Sequence, residues 1–307
     1  MQVLPQAILL MGPTASGKTA LGIELAKTLD GEIISVDSAL VYRGMDIGTA
    51  KPDMGERDGV VHHLIDILEP TQAFSAGQFR QQALLLIDDI LSRGKMPILV
   101  GGTMLYFHVL LNGMASLPDA DEAIRRDIDQ QAQQQGWDAV HKRLQEVDPV
   151  AAARIHLNDS QRIQRALEVY LISGRSQTDW IKDQANVVLS FNPIKLVIAP
   201  SDRAVLHEKI ALRFDQMLNN GFIEEVNVLF NRGDLDASMP AVRAVGYRQA
   251  WAYLQGDCDA ATFREKAIIA TRQLAKRQFT WLRQQAEATW LETGDDAVLT
   301  KALCQLG

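Results

Sequence analysis

The segment GPTASGKT at Gly12–Thr19 decides the fold. It matches the pattern G-x-x-x-x-G-K-[ST], directly follows the apolar run Ala7–Met11, which predicts a buried strand, and opens the periodic segment Lys18–Leu29, which predicts a helix. A strand, a glycine-containing loop and a helix in this order are the setting of a phosphate-binding P-loop. Its backbone N–H groups and the positive end of the helix surround a phosphate, Lys18 neutralises that phosphate, and the Thr19 hydroxyl can ligate Mg²⁺. The motif leaves ATP, another nucleotide and a different diphosphate open as ligands.

Other apolar runs extend this unit into an α/β fold. Three short runs predict further buried strands, and the amphipathic stretch Ser75–Arg93 predicts a helix between two of them; the runs are Glu32–Val36, Met96–Val100 and Ile194–Ala199. Strands that alternate with helices indicate a P-loop NTPase-like parallel sheet core with helices on both faces. The charged, Gln-rich segment before the last strand has a helical pattern. We therefore predict a core formed by residues 1–113 and 186–307, which includes C-terminal helices, and a helical insertion domain at 114–185.

Composition limits the class of protein. The 307 residues carry a net charge of −7, which argues against nonspecific coating of nucleic acid. Cys258 and Cys304 are the two cysteines, and their spacing predicts neither a disulfide framework nor a zinc site. The N-terminal apolar run is far shorter than a membrane span and lacks the basic flank of a signal peptide. We expect a cytoplasmic monomer with no membrane anchor.

Asp37 is the candidate for chemistry beside the P-loop. It follows the second predicted strand, so it is expected at the carboxyl edge of the sheet, where the phosphate loop also lies. Its carboxylate could be a water-mediated Mg²⁺ ligand, a base that acts on an acceptor substrate, or a cap for its own loop. The third strand ends in Gly101-Gly102-Thr103 and not in an acidic residue. That ending weakens an ATPase interpretation, which needs an acidic metal ligand there.

Basic residues cluster in three places despite the acidic total. Within the segment from 261 to 285, helical spacing places Arg272, Lys276 and Arg283 in one sector, with Leu274 and Trp281 on the other side. The other two clusters are Arg154, His156, Arg162 and Arg165, and Arg243 with Arg248. A solvated helix face explains any one cluster, whereas three together favour a polyanionic partner. His62 and His63 are adjacent on a strand-like run, so they point to opposite faces and do not predict a metal site.

Six blocks of the sequence resemble the bacterial tRNA dimethylallyltransferase (tRNA isopentenyltransferase) family. They are GPTASGKT at Gly12, ISVDSALVYRGMDIGTAKP at Ile34, LVGGTMLYF at Leu99, QRIQRALEVY at Gln161, RAVGYRQ at Arg243 and TRQLAKRQFTWLR at Thr271. The resemblance implies transfer of a dimethylallyl group from dimethylallyl diphosphate to N6 of the adenosine at tRNA position 37, 3′-adjacent to the anticodon, with Mg²⁺. It also implies that the P-loop holds a prenyl diphosphate in place of ATP, and that the partner is the tRNA anticodon stem-loop.

The resemblance further implies roles for individual residues. Asp37 would take the N6 proton, Lys18, Thr19 and Arg213 would stabilise the diphosphate, and Thr19 would ligate the metal. The implied diphosphate-binding residues are Gly12, Pro13, Thr14, Ala15, Ser16, Gly17, Lys18, Thr19 and Arg213. The implied tRNA-binding residues are Asp37, Ser38, Ala39, Leu40, Thr103, Arg125 (with Arg126 as the alternative), Gln161, Arg162, Ile163, Gln164, Arg165, Arg243, Ala244, Val245, Gly246, Tyr247, Arg248, Lys276, Arg277, Gln278, Phe279, Thr280, Trp281, Leu282 and Arg283.

Two other functions remain open from the sequence. A small-molecule P-loop kinase would turn over ATP, and a non-enzymatic, nucleotide-gated RNA-binding module would keep the basic clusters but would not need Asp37 beside the loop.

Overall fold

A parallel sheet forms the centre of the structure. The computed structural model describes residues 4–183 and 188–306, and within them six parallel strands form one sheet in the order β3-β2-β4-β1-β5-β6. The strands are β1 Gln6–Met11, β2 Gly31–Val36, β3 His62–His63, β4 Met96–Gly101, β5 Asn192–Ala199 and β6 Thr289–Glu292. The predicted fold class is confirmed. The P-loop strand β1 lies inside the sheet, between β4 and β5.

The central strands are continuous apolar runs because both faces of the sheet are covered. In β1, the five residues Ala7–Met11 have no exposed surface. Full burial of an aliphatic side chain contributes about 1.5–3 kcal/mol relative to its exposure. Leu9 and Met11 pack into one core, and Ile8 and Leu10 pack into the core on the opposite face. This double burial fixes the place where β1 ends and the P-loop begins.

The helices begin and end close to the predicted positions where a local signal exists. The predicted helix Lys18–Leu29 is observed as Lys18–Thr28, and the helix predicted at Ser75–Arg93 begins after Ser75, which forms a capping box with Gln78. The helices are α1 Lys18–Thr28, α2 Met54–Arg57, α3 Ala76–Ser92, α4 Met104–Asn112, α5 Glu122–Gln135, α6 Trp137–Val147, α7 Pro149–Arg154, α8 Ser160–Ser173, α9 Gln177–Lys182, α10 Arg203–Asn219, α11 Phe222–Phe230, α12 Tyr247–Leu254, α13 Ala260–Leu282 and α14 Val298–Leu303.

The chain divides into two compact units. One comprises Met1–Leu111 and Leu189–Gly307, and the other is Asn112–Val188, which contains α5 to α9. The helical unit has a core of its own, built around Ile128, Val140, Leu144, Ile163 and Leu167. The predicted first limit, at 113 and 114, lies two residues from the observed one, while the predicted second limit, at 185 and 186, lies outside the described residues. No helix of the described residues is long and apolar enough to cross a membrane.

Candidate active site

The P-loop is a preformed anion cradle between β1 and α1. Ala15 and Gly17 have positive φ angles of 62° and 86°, a backbone conformation typical of anion-binding nests of N–H groups. A Cβ at Gly12 would lie 2.5 Å from the carbonyl oxygen of Ile198, so the loop can pass β5 only with glycine there. The Lys18 ammonium donates to the Pro13 carbonyl oxygen at 3.2 Å. Loop and lysine therefore already form a closed concavity.

Two cations face this concavity. Burial, together with the nearby Arg213, lowers the pKa of Lys18 to about 8, while Asp37 acts in the opposite direction. Burial also lowers the pKa of Arg213, which lies on α10, against the attraction of Asp37 and Glu56. Across residues 4–183 and 188–306, neither cation forms an ion pair with a side chain. Two mutually repelling, partly desolvated cations make a strong site for an anion with several negative charges.

The cations line a cavity of about 600 Å³. Three parts of the sheet unit form its wall: the P-loop, the carboxyl ends of β2 and β4, and the C-terminal helices. Its lining includes Thr14, Ala15, Lys18, Thr19, Asp37, Ser38, Ala39, Leu40, Thr103, Arg213, Arg243, Ala244, Val245, Gly246, Arg277, Gln278 and Trp281, all of which were predicted as site residues. The structure thus brings five of the nine predicted diphosphate-binding residues and many of the predicted tRNA-binding ones to a single cavity, whereas Gly12, Pro13, Ser16 and Gly17 do not line it.

Asp37 both caps its loop and faces the cavity. Its Oδ1 accepts hydrogen bonds from the N–H groups of Ala39, at 2.8 Å, and Leu40, at 3.4 Å. The Thr103 hydroxyl accepts one from the Ser38 N–H at 3.1 Å, which ties the ends of β2 and β4 together. In the described part of the chain, Oδ2 of Asp37 accepts no hydrogen bond. One carboxylate oxygen is therefore structural, and the second is available for chemistry.

Gln278 has a place that the sequence did not predict. Its side chain is 7% exposed, accepts the Thr14 N–H at 3.0 Å on Oε1, and donates from Nε2 to the Gly102 carbonyl at 2.9 Å. It thus spans from α13 to both the P-loop and the end of β4. Gln278 was predicted to bind tRNA, and in the structure its carboxamide is bonded to Thr14 and Gly102 at the edge of the cavity.

Four other predicted tRNA-binding side chains are buried in the structure. Ile163 and Leu282 have no exposed surface, Tyr247 has 1% and Phe279 has 9%, because each packs into a core. A buried side chain offers no surface to a macromolecule, so each of these side chains contributes to the core of its own unit. The Tyr247 hydroxyl donates to the Glu225 carboxylate.

Glu225 was missed by the sequence reasoning although it holds one wall of the cavity. Its carboxylate accepts the backbone N–H groups of Asp46, Ile47 and Gly48 at 2.8, 2.7 and 3.1 Å. This loop leads into Gly48, Thr49 and Ala50, which line the cavity. An acidic residue in the first turn of a helix, such as Glu225 in α11, is the signal that could have drawn attention to it.

The basic face of α13 is narrower than predicted. Lys276, Arg277 and Arg283 are exposed, whereas Arg272 is half-buried and its Nε is enclosed without a hydrogen-bond partner in the described residues. Leu274 and Trp281, which were predicted on the opposite side of this helix, line the cavity. The exposed cations of α13 are therefore Lys276, Arg277 and Arg283, together with Arg264 and Lys266 nearer its start.

In the helical unit, two predicted tRNA contacts hold a buried carboxylate. Glu168 has no exposed surface, and it accepts hydrogen bonds from Arg125 at 2.9 Å and from Arg165 at 2.6 Å. Burial alone would raise the pKa of Glu168, but these hydrogen bonds lower it. Arg126 and Arg162 are exposed. The guanidinium groups of Arg125 and Arg165 are thus partly committed to the unit's own structure.

The residues at the cavity suit Mg²⁺ that is shared with a diphosphate. No group of three or more His, Cys, Asp or Glu side chains that could hold a metal occurs in the part of the chain that the structure describes. Mg²⁺ usually keeps several waters and binds through few protein ligands plus substrate phosphates. Thr19, which lines the cavity, fits as such a ligand. His63 instead pairs with Glu32 at 2.8 Å, and His62 lies 2.9 Å from the Val60 carbonyl.

Comparison with known proteins places this cavity in context. The sequence matches the IPP transferase family over residues 40–285. It is 60% identical over 299 residues to a tRNA dimethylallyltransferase of Methylococcus capsulatus, covering 97% of this chain and 96% of that protein. It is 55% identical over 293 residues to one from Stenotrophomonas maltophilia, covering 94% and 92%.

Solved structures agree. A full-length tRNA isopentenylpyrophosphate transferase from Bacillus halodurans is similar with a TM-score of 0.72 and 38% identity, over 98% of this chain and 96% of that one. A eukaryotic dimethylallyltransferase captured acting on tRNA is similar with a TM-score of 0.82 and 26% identity, over 98% of this chain and 77% of that one.

Proposed function

This chain belongs to the IPP transferase family, whose members include the tRNA dimethylallyltransferases, and from that premise we propose that it transfers a dimethylallyl group from dimethylallyl diphosphate to N6 of the adenosine at tRNA position 37. The chain is a prenyltransferase that acts on tRNA. One observation carries this proposal: Lys18, Arg213 and the open oxygen of Asp37 meet in one cavity, and no carboxylate in the described parts of the chain forms a direct ion pair with either cation.

The cations act on the leaving group. As the allylic C–O bond breaks, its electron pair moves onto the diphosphate, and negative charge grows there. Lys18, Arg213 and the N–H groups of the P-loop are already in place for that charge, so they stabilise the transition state more than the ground state. Mg²⁺, when bound beside Thr19, supplies further neutralisation of the diphosphate oxygens.

Asp37 acts on the acceptor. The N6 nitrogen forms the new bond to the allylic carbon while it loses a proton, and Oδ2 of Asp37 accepts that proton. The Oδ1 hydrogen bonds to Ala39 and Leu40 fix the orientation of the carboxylate. An adenine stacked in an RNA loop presents its edge poorly, so we expect the base to leave the stack and enter the cavity opposite the diphosphate.

Contacts to the anticodon stem-loop are assigned to exposed and half-buried residues around the cavity and on the helical unit. These are Ser38, Ala39, Leu40, Thr103, Arg126, Gln161, Arg162, Gln164, Arg243, Ala244, Val245, Arg248, Lys276, Arg277, Thr280, Trp281 and Arg283, with Arg125 and Arg165 in part. Phosphate contacts by these cations would position the tRNA, and the cavity would select the base.

A P-loop kinase is the alternative to test against. The end of β4 at Gly101 carries no acidic residue that could bind the metal of ATP. The similar proteins are named dimethylallyl or isopentenyl transferases, and not kinases. The deciding experiment incubates the protein with labelled dimethylallyl diphosphate, Mg²⁺ and unmodified tRNA, with ATP as donor in a parallel tube. We expect label in the tRNA at one adenosine. ATP turnover without label in tRNA would support the kinase instead.

A further inference from the structure

Gln278 connects the two substrate sites. Its carboxamide accepts from the Thr14 N–H and donates to the Gly102 carbonyl, and it is buried while it does so. A Cβ at position 102 would lie 2.4 Å from Nε2 of Gln278, so this close approach requires glycine there. A primary amide is the side-chain group that presents a donor and an acceptor at this reach without charge. The P-loop is thus held in part by a side chain from α13, outside the loop itself.

The helix that carries Gln278 also carries the basic face. Lys276 and Arg277 directly precede it, and Arg283 lies just beyond the last turn. Ala275 and Phe279 pack into one core and Leu282 packs into another. Close packing of this kind makes the helix move as a body. A shift of the basic face therefore reaches Thr14 through one hydrogen bond and Gly102 through another.

We propose that Gln278 is a positioning residue through which tRNA binding on α13 and diphosphate binding in the P-loop are coupled. The inference rests on the proposed function. When tRNA fixes α13, Gln278 holds Thr14 and the loop in the observed conformation, so a larger fraction of the protein is ready to bind the diphosphate. The coupling is reciprocal, because a bound diphosphate must raise the affinity for tRNA by the same factor.

The test is a binding cycle with the full chain. The dissociation constant of a non-reactive thiolo analogue of dimethylallyl diphosphate is measured with Mg²⁺, with and without saturating unmodified tRNA. In the wild type we expect tRNA to tighten analogue binding about fivefold or more. Gln278→Met removes both hydrogen bonds at similar volume. In this variant, the ratio of the analogue dissociation constants without and with tRNA should fall to within about twofold of one, and the affinity for tRNA in the absence of the analogue should not change.

Controls separate coupling from general damage. Gln273→Met changes an exposed glutamine of the same helix and should keep the wild-type factor. If Gln278→Met does not fold, Gln278→Asn takes its place, because it keeps a polar carboxamide but is one methylene too short to bond to both Thr14 and Gly102, and its coupling factor should also fall. A wild-type factor near one, or a wild-type factor retained in the folded Gln278 variant, overturns the inference. Absence of dimethylallyl transfer by the wild type would overturn the proposed function instead, so the two failures are distinct.

Discussion

Diphosphate binding should weaken as the pH rises through 8, because Lys18 loses its proton there in the free protein. Burial and Arg213 set the pKa of this lysine near 8, against an ordinary value of 10.5. A bound diphosphate stabilises the ammonium, so binding above pH 8 requires uptake of a proton. The logarithm of the dissociation constant should therefore rise with pH, with a slope that approaches one.

The magnitude follows from the protonated fraction of Lys18. With a pKa of about 8, roughly nine-tenths of the protein carries the ammonium at pH 7 and roughly one-tenth at pH 9. Affinity for the diphosphate should fall about tenfold over that range. Unfolding does not account for such a loss, because a lysine whose folded pKa is lowered adds stability as the pH rises from 8 towards 10.5.

Isothermal titration with the thiolo analogue at pH 7, 8 and 9, without tRNA, measures this effect. Buffers of different ionisation enthalpy report the proton uptake directly. Lys18→Arg is the matched control, because a guanidinium stays charged over the whole range, and its profile should lack the Lys18 slope even if its affinity is lower. Wild-type affinity that changes less than twofold between pH 7 and 9, or parallel profiles for the two proteins, would refute the assignment.

Three other changes test the remaining parts of the site. Asp37→Asn keeps an oxygen that can cap Ala39 but loses the base, so single-turnover transfer should fall by about 10² or more with tRNA affinity intact, and a rate within about threefold of wild type would leave the residue a cap only. Replacing Lys276 and Arg283 by Ala should reduce the log–log salt slope of tRNA binding by about one to two, whereas an unchanged slope would make this face solvated surface. Glu225→Ala strands three backbone N–H groups and should lower the free energy of unfolding in urea by about 2 kcal/mol, and a loss below about 0.5 kcal/mol would contradict its role in holding the wall.

Local patterns account for what the sequence predicted well. The residues of β1 and the P-loop are neighbours along the chain. Because β1 is buried on both faces of the sheet, its sequence is a continuous apolar run that can be recognised without the structure. The strand β6 was not predicted because it spans four residues at the sheet edge, and only Leu291 among them is buried. An edge strand of that length has no periodicity to read.

Long-range contacts account for what the sequence did not predict. Gln278 bonds to residues 264 and 176 positions away, and its helical spacing alone cannot distinguish a buried bridge from a surface contact. Arg125 illustrates the same limit, because its partner Glu168 lies 43 positions away in another helix. Motif resemblance indicates regions of the chain, and packing decides which side chains within them face outward.

The order of strands has a consequence for how the protein comes to exist. Strand β1 pairs with β5, and the partners Gln6 and Asn192 are separated by most of the chain. While the ribosome is still making the helical unit, one edge of β1 lacks its partner strand β5. Pairing of strands so far apart in the chain makes completion of the sheet a slow, late step. Arg213 and Gln278 arrive later still. A nascent chain that already contains all of GPTASGKT thus has the motif but not the cavity, and the proposed diphosphate site is complete only near the end of synthesis.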